Sequence, residues 1–96
     1  MLAAVNEPNL VLLQRVRPER NEARFYLIQV GPDLFGQHSV LRIWGRIGGG
    51  QRQQLSVFDC HDEAVYFARK LIRLRQRHGY CETRIGEGKQ WKEKNR

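Results

Sequence analysis

Trp44 is set between Arg42 and Arg46 in the stretch RIWGRIGGG (residues 42–50), which then runs into three consecutive glycines. Side chains on a strand alternate between its two faces, so Arg42, Trp44 and Arg46 share a face with Val40, while Leu41, Ile43, Gly45 and Ile47 point the other way. The second set reads as the core face. Trp44 is therefore expected on the opposite face, displayed to solvent between two guanidiniums. That combination suits a nucleotide: an indole ring stacks on a base or sugar for about 1–3 kcal/mol, and fixed guanidiniums hold neighbouring phosphates through charge-assisted hydrogen bonds. Arg52 and Gln54 on the returning strand extend the patch. The same spacing also fits a tryptophan that only covers a sheet face in a cation–π ladder, or one that packs beneath the N-terminal segment or the tail. Spacing and charge alone leave both roles open.

Other residues with chemical potential are less organised. GRIGGG is neither G-x-G-x-x-G nor followed by G-K-[ST], so it reads as a hairpin connection and not as a phosphate-binding loop. His38, His61 and His78 fall at a strand start, a helix start and a helix end. They are not expected to converge, and each reads as a surface or capping residue. Cys60 and Cys81 lie at opposite ends of a helix, about 25 Å apart at 1.5 Å per residue, which favours two reduced thiols and argues against one tetrahedral metal centre. No nucleophile, base and orienting group come together, so no catalytic residues, metal, cofactor or small-molecule substrate are expected. Arg69, Lys70, Arg73 and Arg77 form a basic helical face, a solvated surface that adds long-range attraction for phosphate.

The elements that must position these residues are strands first and one helix late. NLVLLQRV (9–16) and ARFYLIQV (23–30) are rich in β-branched, aromatic and aliphatic residues, and Pro18, Glu19, Arg20 and Asn21 between them read as a turn. GPDLFG (31–36) is a second turn, with Leu34 and Phe35 expected to fold back onto the sheet. A third strand covers 38–47, the glycines at 48–50 permit positive φ in a hairpin, and RQQLSVF (52–58) returns as a fourth. From 60 to 78 the apolar period changes to that of a helix, with Ala64, Phe67, Ala68, Leu71, Leu74 and Arg75 on one stripe broadened by Val65 and Ile72. Asp59 is the expected N-cap, Asp62 and Glu63 sit at the positive end of the helix dipole, Arg75 and Arg77 at the negative end, and Gly79 provides a left-handed stop. CETRI (81–85) reads as a short fifth strand. The expected fold is α+β: an antiparallel sheet of four to five strands with one amphipathic helix packed across one face. Residues 1–85 are expected to form a single domain, and 86–96 a flexible basic tail.

Ninety-six residues suffice for one modest core. Seventeen Lys and Arg against ten Asp and Glu give a net charge of +7, which points to an anionic partner, nucleic acid before a membrane surface. No apolar run approaches the roughly 20 residues that span a bilayer, and MLAAVNEPNLVLL lacks a charged n-region and an unbroken h-region. The expected location is cytoplasmic, with no membrane partner.

RFYLIQV, then WGRIG, then FDCHDEAVYFARK running to RHGY together resemble the WGR domain, named for the tripeptide that here is Trp44, Gly45 and Arg46. The resemblance covers roughly residues 23–80, and GPDLFG is similar to a turn in small stand-alone bacterial members. It implies an antiparallel sheet crossed by one helix and a nucleic-acid-binding role. In DNA-dependent poly(ADP-ribose) polymerases the module helps recognise DNA breaks, the motif tryptophan packing against a nucleotide at a strand end and the motif arginine contributing to DNA and interdomain contacts. Carried over, those roles fall on Trp44 and Arg46. Ala23 stands where many members have asparagine, with Asn21 two positions earlier, so the contact made by that side chain does not carry over. The transferase domain has no counterpart here, and its activity does not carry over either. The resulting expectation is a non-enzymatic module binding DNA at ends, nicks or other exposed termini, with RNA left open, through Trp44, Arg42, Arg46, Arg52 and Gln54. The competing expectation is a protein-interaction module that docks an acidic partner domain through the same surface.

Overall fold

A computed structural model describes residues 9–83. Five antiparallel strands, β1 (Leu10–Arg17), β2 (Glu22–Pro32), β3 (His38–Arg46), β4 (Gln51–Phe58) and β5 (Cys81–Thr83), form one sheet in the order β4-β3-β2-β1-β5. The first four make the expected meander. The helix α1 (His61–Arg77) crosses one face and returns the chain to pair β5 with β1. The expected α+β architecture is thus the observed one. Residues 84 and 85 of the expected fifth strand, and the 86–96 tail, lie outside the described residues. Among those described, no helix is long and apolar enough to cross a membrane.

Each turn has a local cause. After β1, Pro18–Arg20 make one turn of 3-10 helix, ended by Asn21 in the left-handed region at φ 52°, where its N–H donates to the Pro18 carbonyl at 2.9 Å. Asparagine tolerates that region better than most residues. Between β2 and β3 the Asp33 carboxylate accepts from the Phe35 and Gln37 N–H groups, both at 2.9 Å, and Gly36 supplies a positive φ. This turn carries Leu34 and Phe35 away from the protein. They are 98 % and 86 % exposed, so the expectation that they fold back onto the sheet is corrected: the Asx turn sets the backbone direction, and two apolar side chains do not override it.

The N-cap of the helix is Cys60, not Asp59. Cys60 has the extended backbone of an N-cap (φ −144°, ψ 164°) but makes no side-chain cap bond, so the expected Asp59 cap is displaced by one residue. Asp62 and Glu63 do lie in the first turn, and Arg75 and Arg77 in the last. At the C-terminus Gly79 takes φ +90° and its N–H donates to the Gln76 carbonyl at 3.1 Å, while the Tyr80 N–H donates to Arg75 at 3.0 Å, closing the helix as expected.

Register decides which face the helix covers. Leu13 pairs with Tyr26 and Tyr26 with Trp44; Val11 pairs with Ile28 and Ile28 with Arg42; Val30 pairs with Val40. Cross-strand partners share a face, and the buried core consists of Val11, Leu13, Tyr26, Ile28, Val30 and Val40 under Ala64, Ala68 and Tyr80. Phe58, Val65, Phe67, Leu71, Ile72 and Trp44 pack around it. The small residues Ala64 and Ala68, one turn apart, let the helix backbone lie close to the sheet. The face assignment made from β3 alone is therefore inverted. The helix lies on the side of Val40, Arg42, Trp44 and Arg46, and the expected core face of Leu41, Ile43, Gly45 and Ile47 is the far side, with Ile47 exposed. Both sides of β3 carry apolar residues, so only its neighbours on β2 discriminate.

Candidate nucleic-acid interface

The five residues expected to form a site do come together on one face. Trp44 pairs with Arg52 and Arg42 with Gln54 across β3 and β4, and Arg46 lies one row further along. Arg46, Arg52 and Gln54 are exposed. Trp44 is half-buried, which corrects the expectation of a ring jutting freely into water. Its centroid lies 6.0 Å from that of the buried Tyr26, at an interplanar angle of 39°. The indole is thus seated on a tyrosine that the core holds fixed, and the exposed Arg52 is its cross-strand neighbour.

Arg42 is the most constrained of the cations. Its Nη1 donates to the Tyr26 hydroxyl at 3.2 Å and its Nη2 to the Gln54 side-chain oxygen. Its guanidinium carbon lies 5.6 Å from the Trp44 centroid and 5.7 Å from that of Phe67 on the helix. Both contacts are within cation–π range. Arg42 therefore ties the tryptophan, the β4 edge and the helix into one unit. Arg46 is held differently: its two terminal nitrogens donate to the Asn21 carbonyl at 3.0 Å and to its side-chain oxygen at 3.2 Å. Asn21, in the turn after β1, orients the motif arginine without neutralising it.

Gly45 shows why glycine stands between tryptophan and arginine. A Cβ built there would lie 2.3 Å from the Gly50 carbonyl oxygen and 2.9 Å from the Gln51 Cα. The start of β4 passes directly across this position, and Gly48 at φ +79° makes the reversal possible. In the register this crossing belongs to, Gln51 pairs with Gly45 and Arg52 with Trp44.

Several participants were not foreseen. Tyr26 was read only as a strand residue, yet it is the seat of Trp44. Arg75 was placed on the apolar stripe by spacing, and its guanidinium carbon lies 4.2 Å from the Tyr26 ring centroid and 5.8 Å from that of Tyr80. Glu22 gathers Arg15, Arg17 and Arg24. The hydrogen bond from Arg15 holds the Glu22 carboxyl below the usual carboxylate range against an opposing desolvation effect, with the charges of Arg15, Arg17 and Arg24 adding to the depression. At the other end of the sheet His38 and His61 come within 6.2 Å, ring centre to ring centre, edge to face. The expectation that the histidines do not converge is corrected for this pair, because the helix start folds back over the start of β3. His78 stays apart, its carbonyl accepting from Arg15 at 2.7 Å. Cys60 and Cys81 are both free and exposed.

Comparison with known proteins gives a concordant picture. The family model described as the WGR domain matches residues 10–87. The uncharacterized protein y4dW of Sinorhizobium fredii (strain NBRC 101917 / NGR234) is 34 % identical over 76 residues, which are 79 % of this chain and 37 % of that protein. The chain thus spans little more than a third of that relative's length. No solved structure gives a significant match.

Proposed function

The chain belongs to the WGR domain family, and on that premise we propose that it recognises exposed termini of nucleic-acid strands, such as DNA ends and nicks. WGR domains are nucleic-acid-binding modules in related proteins, binding units and not catalytic ones. The observation that carries the finer reading is the row Tyr26–Trp44–Arg52: a half-buried indole fixed on a core tyrosine, with an exposed guanidinium directly opposite. In a continuous duplex each base face is already covered by its neighbour. At a terminus one face is free, and a flat ring held in place meets it without losing side-chain entropy. Arg46 and Arg52 then take the adjoining phosphates, while Arg42 and Gln54, already bonded to each other, keep the ring in its orientation and line the approach.

A labelled nicked duplex, a covalently closed circle and a single strand are to be titrated at two salt concentrations. Tighter binding to the nicked duplex than to the circle, persisting at the higher salt, supports terminus recognition. Equal binding to all three that salt abolishes would reduce the role to non-specific charge attraction. An absence of binding would favour docking of an acidic partner protein on this surface.

A further inference from the structure

The end of the sheet beyond the Trp44 row holds a second constellation. Arg15, Arg24 and Arg46 are direct cross-strand partners on β1, β2 and β3, so three guanidinium side chains leave one face at successive spacings of about 4.8 Å. Like charges directly opposite one another destabilise a sheet. Arg17 at the end of β1 and Arg20 in the turn after it come in from the β1–β2 hairpin, and the five arginines, with Asn21 and Glu22, line an open concavity of about 540 Å³. That size falls within the range of small-ligand sites and exceeds what a single ion needs.

Glu22 organises the concavity without neutralising it. Its carboxylate bonds Arg15 and lies 3.9 Å from Arg17 and 3.5 Å from Arg24. Arg15 is further fixed by the His78 carbonyl, and Arg46 by Asn21. Five guanidiniums less one carboxylate leave four positive charges, more than half of the chain's net +7, around one hollow. Arg15 and Arg46 are already held in place, so a ligand would gain their charge without ordering them.

We propose that this concavity binds a phosphate-dense group, a run of adjacent phosphates carrying three or more negative charges. A single phosphate would leave much of the repulsion standing, whereas a run offsets it and offers several oxygens to the guanidinium forks. The proposal does not rest on stacking by Trp44. The same chemistry has two sources, the backbone of a nucleic-acid strand and a free polyphosphate chain.

Calorimetric titration of the full chain with inorganic tripolyphosphate tests it, with orthophosphate for comparison. Three proteins are needed: wild type, Arg17→Gln/Arg20→Gln, and Arg69→Gln/Arg73→Gln, which removes equal charge from the helix. The wild type is expected to take tripolyphosphate at least about tenfold more tightly than orthophosphate, and the hairpin variant to lose about tenfold or more. The helix variant is expected to lose less than about threefold. Equal losses in the two variants, or no preference for tripolyphosphate, would overturn the site. A labelled single strand then identifies the source. Displacement by tripolyphosphate together with weakening in the hairpin variant assigns the strand backbone; strand binding indifferent to both, with tripolyphosphate affinity retained, assigns a free polyphosphate. Trp44→Ala is expected to bind tripolyphosphate as wild type does, so failure of the stacking role leaves this result readable.

Discussion

A half-buried Trp44 meets a different physical requirement from a free one. An indole in water samples several rotamers and loses them on binding. Seated on Tyr26, with Arg42 over one side and bonded onward to Gln54, it has already lost them on folding. Arg46 illustrates a complementary division of labour, since its partner Asn21 offers neutral acceptors and leaves its charge available. Arg46→Ala is therefore expected to weaken binding to every nucleic-acid substrate and to lower the slope of log K against log salt by about one, measured by titration across a salt series. The membership of this patch was legible in the sequence, because alternation on β3 and the hairpin to β4 place Trp44, Arg42, Arg46, Arg52 and Gln54 on one side. Its relation to the helix was not. Apolar residues occur on both sides of β3, and the deciding neighbours, Tyr26, Ile28 and Val30, belong to β2 through a register that no single strand displays.

The elements hold this patch through two backbone devices. Gly45 admits the crossing start of β4, and Gly45→Ala would drive a Cβ into the Gly50 carbonyl. A loss of about 1–3 kcal/mol in stability is expected from equilibrium urea unfolding, because backbone and not a flexible side chain must yield. The helix start is less well made. Cys60 has an N-cap backbone but no cap bond, so Cys60→Ser is expected to raise stability by about 1 kcal/mol by offering an oxygen to a backbone N–H of the first turn. Unchanged or lowered stability would show that this N–H is satisfied in another way. The capping error in the sequence reading has a plain source: Asp59 is the better capping residue by type, and packing of Ala64 and Ala68 against the sheet fixes the helix start one residue later. The outward-facing Leu34 and Phe35 carry the same lesson, since turn chemistry at Asp33 prevailed over apolar character.

At the scale of the molecule, charge is distributed unevenly, and the sequence concealed this because the arginine row is assembled from three strands and a hairpin. Glu22 is the carboxylate that makes the row tolerable. Since its folded pKa lies below the ordinary value, its contribution is present at neutral pH and is lost as pH falls through that depressed value. Urea unfolding at neutral pH and at about pH 3 is expected to show a larger acid loss of stability in the wild type than in Glu22→Gln, in which that group no longer titrates. Net positive charge attracts nucleic acids of every kind and gives no preference among them. In the proposed function that preference falls to the seated indole. The most direct measurement is the ratio of affinities for a nicked duplex and the corresponding closed circle, in wild type and in Trp44→Ala, with a melting curve confirming that the variant remains folded. The wild type is expected to favour the nick, and the folded variant to lose about 1–3 kcal/mol of affinity for the nick alone, bringing the ratio toward one. A ratio the same in both proteins would contradict the account.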